Sequence, residues 1–188
     1  MATNPPTKTK MTAEDYFALP ETMRRQELIH GELIVQEKDM DAPHDNHQKL
    51  TTRLIILLAP FTTTGELRPS PVDVVIEEHN VVQPDVMWVR HDNDQCLMKE
   101  GRWYGAPDLV VEILSPSTAK QDKSTKYDLY EEHGVREYWI VDNAARLIEV
   151  YARQDDKFAR HGVFGLGESF ISSVLGDKTV EVDAILGE

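Results

Sequence analysis

The sequence predicts an α+β fold, a mixed β-sheet with helices packed against it, and three observations carry that prediction. The segment Pro107-Asp108-Leu109-Val110-Val111-Glu112-Ile113-Leu114-Ser115-Pro116 is an apolar run bounded by turn residues, the pattern of a buried strand. Leu50, Leu54, Leu57, Leu58 and Phe61 recur at helical spacing between about residues 45 and 61. Residues 137–142 and 147–151 flank Asn143-Ala144-Ala145-Arg146 as the two arms of a hairpin. Strands and helices in this proportion pack as layers around one core.

The remaining elements follow in chain order. Residues 1–10, rich in Thr, Pro and Lys, read as a flexible tail, which leaves 11–188 as a single domain. Thr12-Ala13-Glu14-Asp15 has the form of a capping box, with Met11 and Tyr16 placed as a hydrophobic staple. The helix it opens should stop near Pro20. Residues 27–35 read as two strand segments around a His30-Gly31 turn. Strands are expected at 72–76 and 81–89, followed by a polar loop over 90–101 without periodicity. Thr118-Ala119-Lys120-Gln121 is a second capping-box pattern, opening a helix to about His133 that Gly134 would end. After Phe158 come glycine-rich turns and a last strand at 179–183.

Composition narrows the function. The 188 residues are 40% hydrophobic and 28% charged, as in a soluble globular protein, and the lone Cys96 precludes an intramolecular disulfide. That cysteine usage and the want of a signal peptide or a ~20-residue apolar run point to a cytoplasmic protein with no membrane span. A formal charge of −13 argues against binding nucleic acid by bulk electrostatics. It leaves room for a metal-dependent enzyme, whose ion restores local positive charge. No P-loop, GxGxxG, HExxH or GxSxG pattern is present, and scattered histidines with one cysteine make zinc a poor fit.

The chemistry concentrates on a few side chains. Glu112 lies inside the apolar run, where an ionised carboxylate costs several kcal/mol unless a cation or hydrogen bonds compensate it. Asp85, in Gln83-Pro84-Asp85-Val86, shares a strand face with Met87 and Val89 by period two. It reads either as a turn residue after proline or as a ligand that meets Glu112, since two strand carboxylates suit Mg²⁺ or Mn²⁺. Lys126 falls on the apolar face of its helix with Ala119, Lys123, Tyr127 and Tyr130. It either pairs with Asp122 one turn away or reaches back to Glu112 and orients an attacking water. Lys123 reads more as a snorkelling surface residue than as a participant. Glu27 and Glu32 bracket the His30-Gly31 turn, as solvated acids or as supports for a metal-bound water. His47 is either a helix-end histidine bonded to backbone or a contact for phosphate or ligand.

Several blocks together resemble the Uma2 family, within the PD-(D/E)XK, restriction-endonuclease-like superfamily. They are Gln26-Glu27-Leu28-Ile29-His30-Gly31-Glu32, His47 before a long helix, Gln83-Pro84-Asp85-Val86, the 107–118 run, Asp122 with Lys126-Tyr127 and Tyr130, and residues 134–142. The resemblance runs from about residue 11 to 183. It implies a restriction-endonuclease-like core, Asp85 and Glu112 as ligands of Mg²⁺ or Mn²⁺, and DNA as substrate, cut to a 3′-hydroxyl and a 5′-phosphate. The superfamily's lysine is expected two residues after Glu112, where this chain has Leu114, so the resemblance transfers that role to Lys126. Glu27 corresponds to an auxiliary acid, with Glu32, His47, Asp122 and Lys123 as supporting or substrate-binding residues. A homodimer would account for cutting both strands. The alternative is a non-catalytic nucleic-acid or protein-interaction module in which Glu112 and Lys126 are a buried ion pair, or a structural homodimer paired through edge strands.

Overall fold

The computed structural model describes residues 10–22, 24–35, 44–115 and 118–187. Nearly all of the expected N-terminal tail lies outside them, as do Pro116 and Ser117 of the Ser-Pro turn. The first half holds α1 (Ala13–Phe17), β1 (Gln26–Ile29), β2 (Glu32–Val35) and α2 (His44–Leu58), which runs into a 3-10 turn at Ala59–Thr63. Then come β3 (Gly65–Pro69), β4 (Val74–Glu77), β5 (Asn80–Val82), β6 (Val86–Arg90), β7 (Leu97–Lys99), β8 (Arg102–Tyr104) and β9 (Leu109–Ile113). The second half adds α3 (Ala119–Lys123), α4 (Thr125–His133), β10 (Glu137–Asp142), β11 (Leu147–Gln154) and β12 (Lys157–Gly165). β13 (Ser169–Ser172), β14 (Lys178–Glu181) and α5 (Val182–Leu186) complete it.

The architecture is α+β. A central six-stranded mixed sheet runs β12-β11-β10-β9-β6-β3, and a second runs β2-β1-β5-β4-β8-β7. β9 and β10 are parallel, joined by a crossover through α3 and α4, while the other central neighbours are antiparallel. Every residue of β9 is buried, as its Val-rich composition requires. Leu109, Val111 and Ile113 face one way, onto Leu50, Leu54 and Leu58 of α2 and Val182 and Ile185 of α5. Val110 faces the other way, with Leu129 and Tyr130 of α4 and Tyr138 and Ile140 of β10. Each fully buried Leu contributes roughly 1.5–3 kcal/mol, so β9 is held from both faces. Glu112 alternates with Val111 and Ile113 and therefore looks towards α4. No helix among the described residues is long and apolar enough to cross a membrane.

Several expectations hold as read. Thr12 and Asp15 form the capping box of α1, and Tyr16 packs with Met11. His30 (φ 54°) and Gly31 (φ 77°) make the two-residue turn between β1 and β2. Gly134 ends α4 in the left-handed region.

Others are corrected. The strand expected over 81–89 is interrupted at Gln83-Pro84-Asp85, because Pro84 has no N–H for a ladder. β5 thus belongs to the second sheet and β6 to the central one, and Asp85 sits at the junction. The loop expected over 90–101 contains β7, whose three side chains are exposed and so carry no burial pattern. The helix expected from 118 to 133 breaks at Ser124 (φ −129°, ψ −82°) into α3 and α4. Thr118 does not cap it as expected; Ser115 and Thr118 exchange backbone-to-hydroxyl bonds of 3.2 Å each, which places the cap one turn earlier. The strand expected to reach 183 ends at Glu181, where Val182, Ile185 and Leu186 turn into α5 to fill the core beside α2.

Candidate active site

The register of β6 against β9 builds the site. Val86 pairs with Val111, so Asp85, one residue earlier, stands level with Glu112 on the neighbouring strand. The Asp85 carboxylate is held from three sides. Oδ2 accepts from the Ile113 amide at 2.7 Å and lies 3.2 Å from Nε2 of His47, at the start of α2. Oδ1 accepts from the Arg25 guanidinium at 2.7 Å. Glu112, 1% exposed, receives Lys126 at 3.0 Å and the Tyr130 hydroxyl at 2.9 Å, both on Oε1. Its Oε2 lies 3.6 Å from Arg25.

Lys126 is itself 1% exposed. Its ammonium lies 2.9 Å from Glu27 Oε1, 3.0 Å from Glu112 Oε1 and 3.4 Å from Asp122 Oδ1. Lys126 therefore meets both partners expected of it, Asp122 four residues earlier and Glu112 across the core. Glu27 is further fixed by the Gln83 amide at 2.9 Å and by Gln121 at 3.2 Å.

The cluster sets four carboxyls (Glu27, Asp85, Glu112, Asp122) against two permanent cations (Arg25, Lys126). Burial, reinforced by the charges of Asp122 and Asp85, pushes the Glu112 carboxyl up to about 8 against the pull of Lys126 and Arg25. Burial also raises Asp122, with Lys126 opposing. Asp85 goes the other way. Burial alone would raise it, but His47, Arg25 and the Ile113 amide outweigh that and hold it well below the usual carboxylate range. Burial opposes the charge on Lys126, yet Glu112 and Glu27 keep the ammonium protonated. Two carboxyls whose environments push them apart are a recurring mark of acid–base sites.

Six of the residues singled out from the sequence are thus gathered: Glu27, His47, Asp85, Glu112, Asp122 and Lys126. Two are not. Glu32 is exposed on β2, opposite Ile29. Lys123, 40% exposed, pairs with Glu149 at 2.6 Å and approaches Asp142 at 4.0 Å. The break at Ser124 takes it off the face that Lys126 and Tyr130 share.

Arg25 was missed. It reads as an ordinary polar residue in the link after α1, yet its guanidinium touches Asp85, Glu112 and Glu27 and donates to the Gln83 carbonyl. The available signal was arithmetic: several buried acids need more than one cation. Gln121 was likewise unforeseen.

The oxygens that meet Arg25 are also the ones a hard cation would take. Asp85 Oδ1, Glu112 Oε2 and Glu27 Oε1 lie 2.7, 3.6 and 3.8 Å from its nitrogens. Among the described residues no three acids, histidines or cysteines are grouped so as to hold a metal ion, and the Arg25 guanidinium meets three of the acids. A Mg²⁺-type ion needs only one or two carboxylates and keeps its waters, so the donor set fits such an ion once Arg25 yields.

The fold has a counterpart among solved structures. It superposes with a TM-score of 0.75 on a crystal structure titled "a putative nuclease belonging to DUF820" from Anabaena variabilis, covering 94% of this chain and 97% of that one at 17% identity. At that identity the likeness speaks for the fold alone. Two uncharacterised proteins of Synechocystis sp., slr1290 and sll1609, are each 27% identical over 152 and 157 residues. Each alignment covers 78% of this chain, and 76% and 83% of the respective relatives. The sequence model of the Uma2 family, described as "Putative restriction endonuclease", matches residues 13–182. A match over that span, most of the chain, makes this chain a member of the Uma2 family.

Proposed function

We propose that this chain is a divalent-cation-dependent endonuclease that hydrolyses DNA phosphodiester bonds. The observation that carries the reading is the convergence of Asp85, Glu112 and Glu27 oxygens on one cationic position, backed by the buried Lys126. Asp85 and Glu112 would hold Mg²⁺ or Mn²⁺. Bound there, such an ion supplies positive charge to the phosphate oxygens and a water of lowered pKa.

The chain's own groups divide the remaining work. His47 and the Ile113 amide fix Oδ2 of Asp85, which leaves Oδ1 directed at the reacting position. Lys126 and Tyr130 fix Oε1 of Glu112 and leave Oε2 likewise. Lys126 places a permanent positive charge directly behind the carboxylates, and with Glu27 it orients the attacking water. Arg25, on leaving the carboxylates, is a guanidinium beside the phosphate and offsets the charge that develops there. Two such centres in a homodimer would cut both strands of a duplex.

One observation favours a second reading, a non-catalytic interaction module. Arg25 and Lys126 already face all four acids, as a purely structural ion-pair network would. Nicking of supercoiled plasmid separates the two readings. With Mg²⁺ or Mn²⁺ the wild type should nick, chelator should abolish nicking, and Asp85→Asn, Glu112→Gln and Lys126→Met should each lower the rate by at least 10²-fold. Equal residual nicking in wild type and all three variants would remove the nuclease reading and leave the module.

A further inference from the structure

In a chain of net charge −13, cations left without an acid are informative. A cavity of about 140 Å³ lies between α2, the turn joining β10 to β11, and the end of α5. Lys49, Arg53 and Arg146 line it, together with the amide-bearing Asn46 and Asn143, and no carboxylate does so among the described residues. Arg53 is anchored, donating to the Ile185 carbonyl at 3.1 Å and to the Gly187 carbonyl. Lys49 and Arg146 make no ion pair among the described residues. Arg146 projects from a fixed turn: its φ is 58°, and the Ala145 amide bonds the Asp142 side chain at 2.9 Å. The cavity has the room of several waters at ~30 Å³ each, enough for a phosphate group.

Its place in the fold links it to the acids. Asn46 precedes His47, whose ring meets Asp85. Asn143 follows β10, where Ile140 pairs with Glu112. Three residues of strand separate Ile140 from Asn143, or ~10 Å. A DNA strand covers that span in about three steps at ~3.4 Å of axis each.

We propose that this cavity is a phosphate subsite: Lys49 and Arg146 grip a backbone phosphate of the nucleic acid a few nucleotides from the one held at Asp85 and Glu112. The assignment rests on the nuclease reading above and adds to it the contact that fixes the strand. It also explains how so acidic a chain engages a polyanion, through a local cationic cavity rather than its overall charge.

The test is binding of a fluorescently labelled DNA duplex in chelator, where no cleavage intervenes, from 50 to 200 mM salt. Wild type is compared with Lys49→Gln/Arg146→Asn, in which Asn tolerates the positive φ, and with Lys99→Gln/Lys178→Gln, which removes the same charge at exposed sites elsewhere. Losing two phosphate contacts should lower the log–log salt slope by about 1.8 and weaken binding near 150 mM salt on the order of 30-fold. The remote pair should stay within about twofold of wild type. Equal losses in both pairs, no loss in either, or no wild-type binding at all would overturn the subsite. Plasmid nicking keeps the two claims apart. A cavity pair that nicks with an unchanged KM removes the subsite and spares the nuclease. Cavity-dependent binding by a wild type that never nicks does the reverse.

Discussion

Replacing Lys126 with Met keeps the aliphatic stem and deletes the ammonium that touches Glu27 at 2.9 Å, Glu112 at 3.0 Å and Asp122 at 3.4 Å. All three carboxyls are buried, so the variant strands negative charge in the core. Removing one partner of such a pair costs about 3–5 kcal/mol, a large share of the roughly 5–15 kcal/mol that holds a domain folded. Glu112→Gln keeps a partner for the Tyr130 hydroxyl and removes the carboxyl that Lys126 meets at 3.0 Å, at a cost of ~1–3 kcal/mol. Because the two side chains act on each other, the double variant should be less destabilised than the sum by ~1–3 kcal/mol. Urea unfolding followed by tryptophan fluorescence reads this directly, since Trp88, Trp103 and Trp139 are all buried. At a slope of about 2 kcal/mol/M, Lys126→Met should lower the midpoint by roughly 1.5–2.5 M. A loss below ~1 kcal/mol, or strict additivity in the double variant, would refute Lys126 as the cation of the cluster.

Three further outcomes follow from the electrostatics. With Glu112 pushed up to about 8 by burial, the folded protein keeps a proton between the ordinary glutamate value and pH 8 that the unfolded chain has released. This group's contribution to stability therefore falls as pH rises through that window, and Glu112→Gln should flatten the fall in pH-dependent urea titrations. The same proton must leave for a cation to bind, so Mn²⁺ affinity should rise by up to tenfold per pH unit and level off above pH 8; a flat profile between pH 6 and 8 contradicts this. Arg25→Gln should cost stability, having lost a 2.7 Å contact to Asp85, yet raise Mn²⁺ affinity on the order of tenfold by freeing the same oxygens. Unchanged affinity in calorimetry would mean that Arg25 and the cation do not share a position.

How much of this was legible in the sequence depends on the kind of signal. The strand through Glu112 is visible because an apolar run between prolines has few other solutions, and period two carries Asp85 to the matching face. Lys126 is visible because a helical segment after that strand must return across it, which brings its inward face over Glu112. Lys123 shares that face only if the helix is continuous, and the break at Ser124 has no proline or glycine to announce it. α5 stayed hidden because Thr179-Val180-Glu181-Val182-Asp183 keeps strand alternation across the boundary, and packing against α2 decides where the helix begins. β7 gives no pattern because none of its side chains is buried. Arg25 comes from a link whose local sequence carries no periodicity. Its position depends on long-range pairing with Asp85 sixty residues away, which no short window contains.

The central claim is that Asp85 and Glu112 form a divalent-cation site. Calorimetric titration of Mn²⁺ into wild type, Asp85→Asn and Glu112→Gln at pH 8 tests it most directly. The account predicts saturable binding at a single site in the wild type, with affinity reduced at least tenfold in each variant while both remain folded. Identical isotherms in all three proteins, or no binding heat in the wild type, would contradict it.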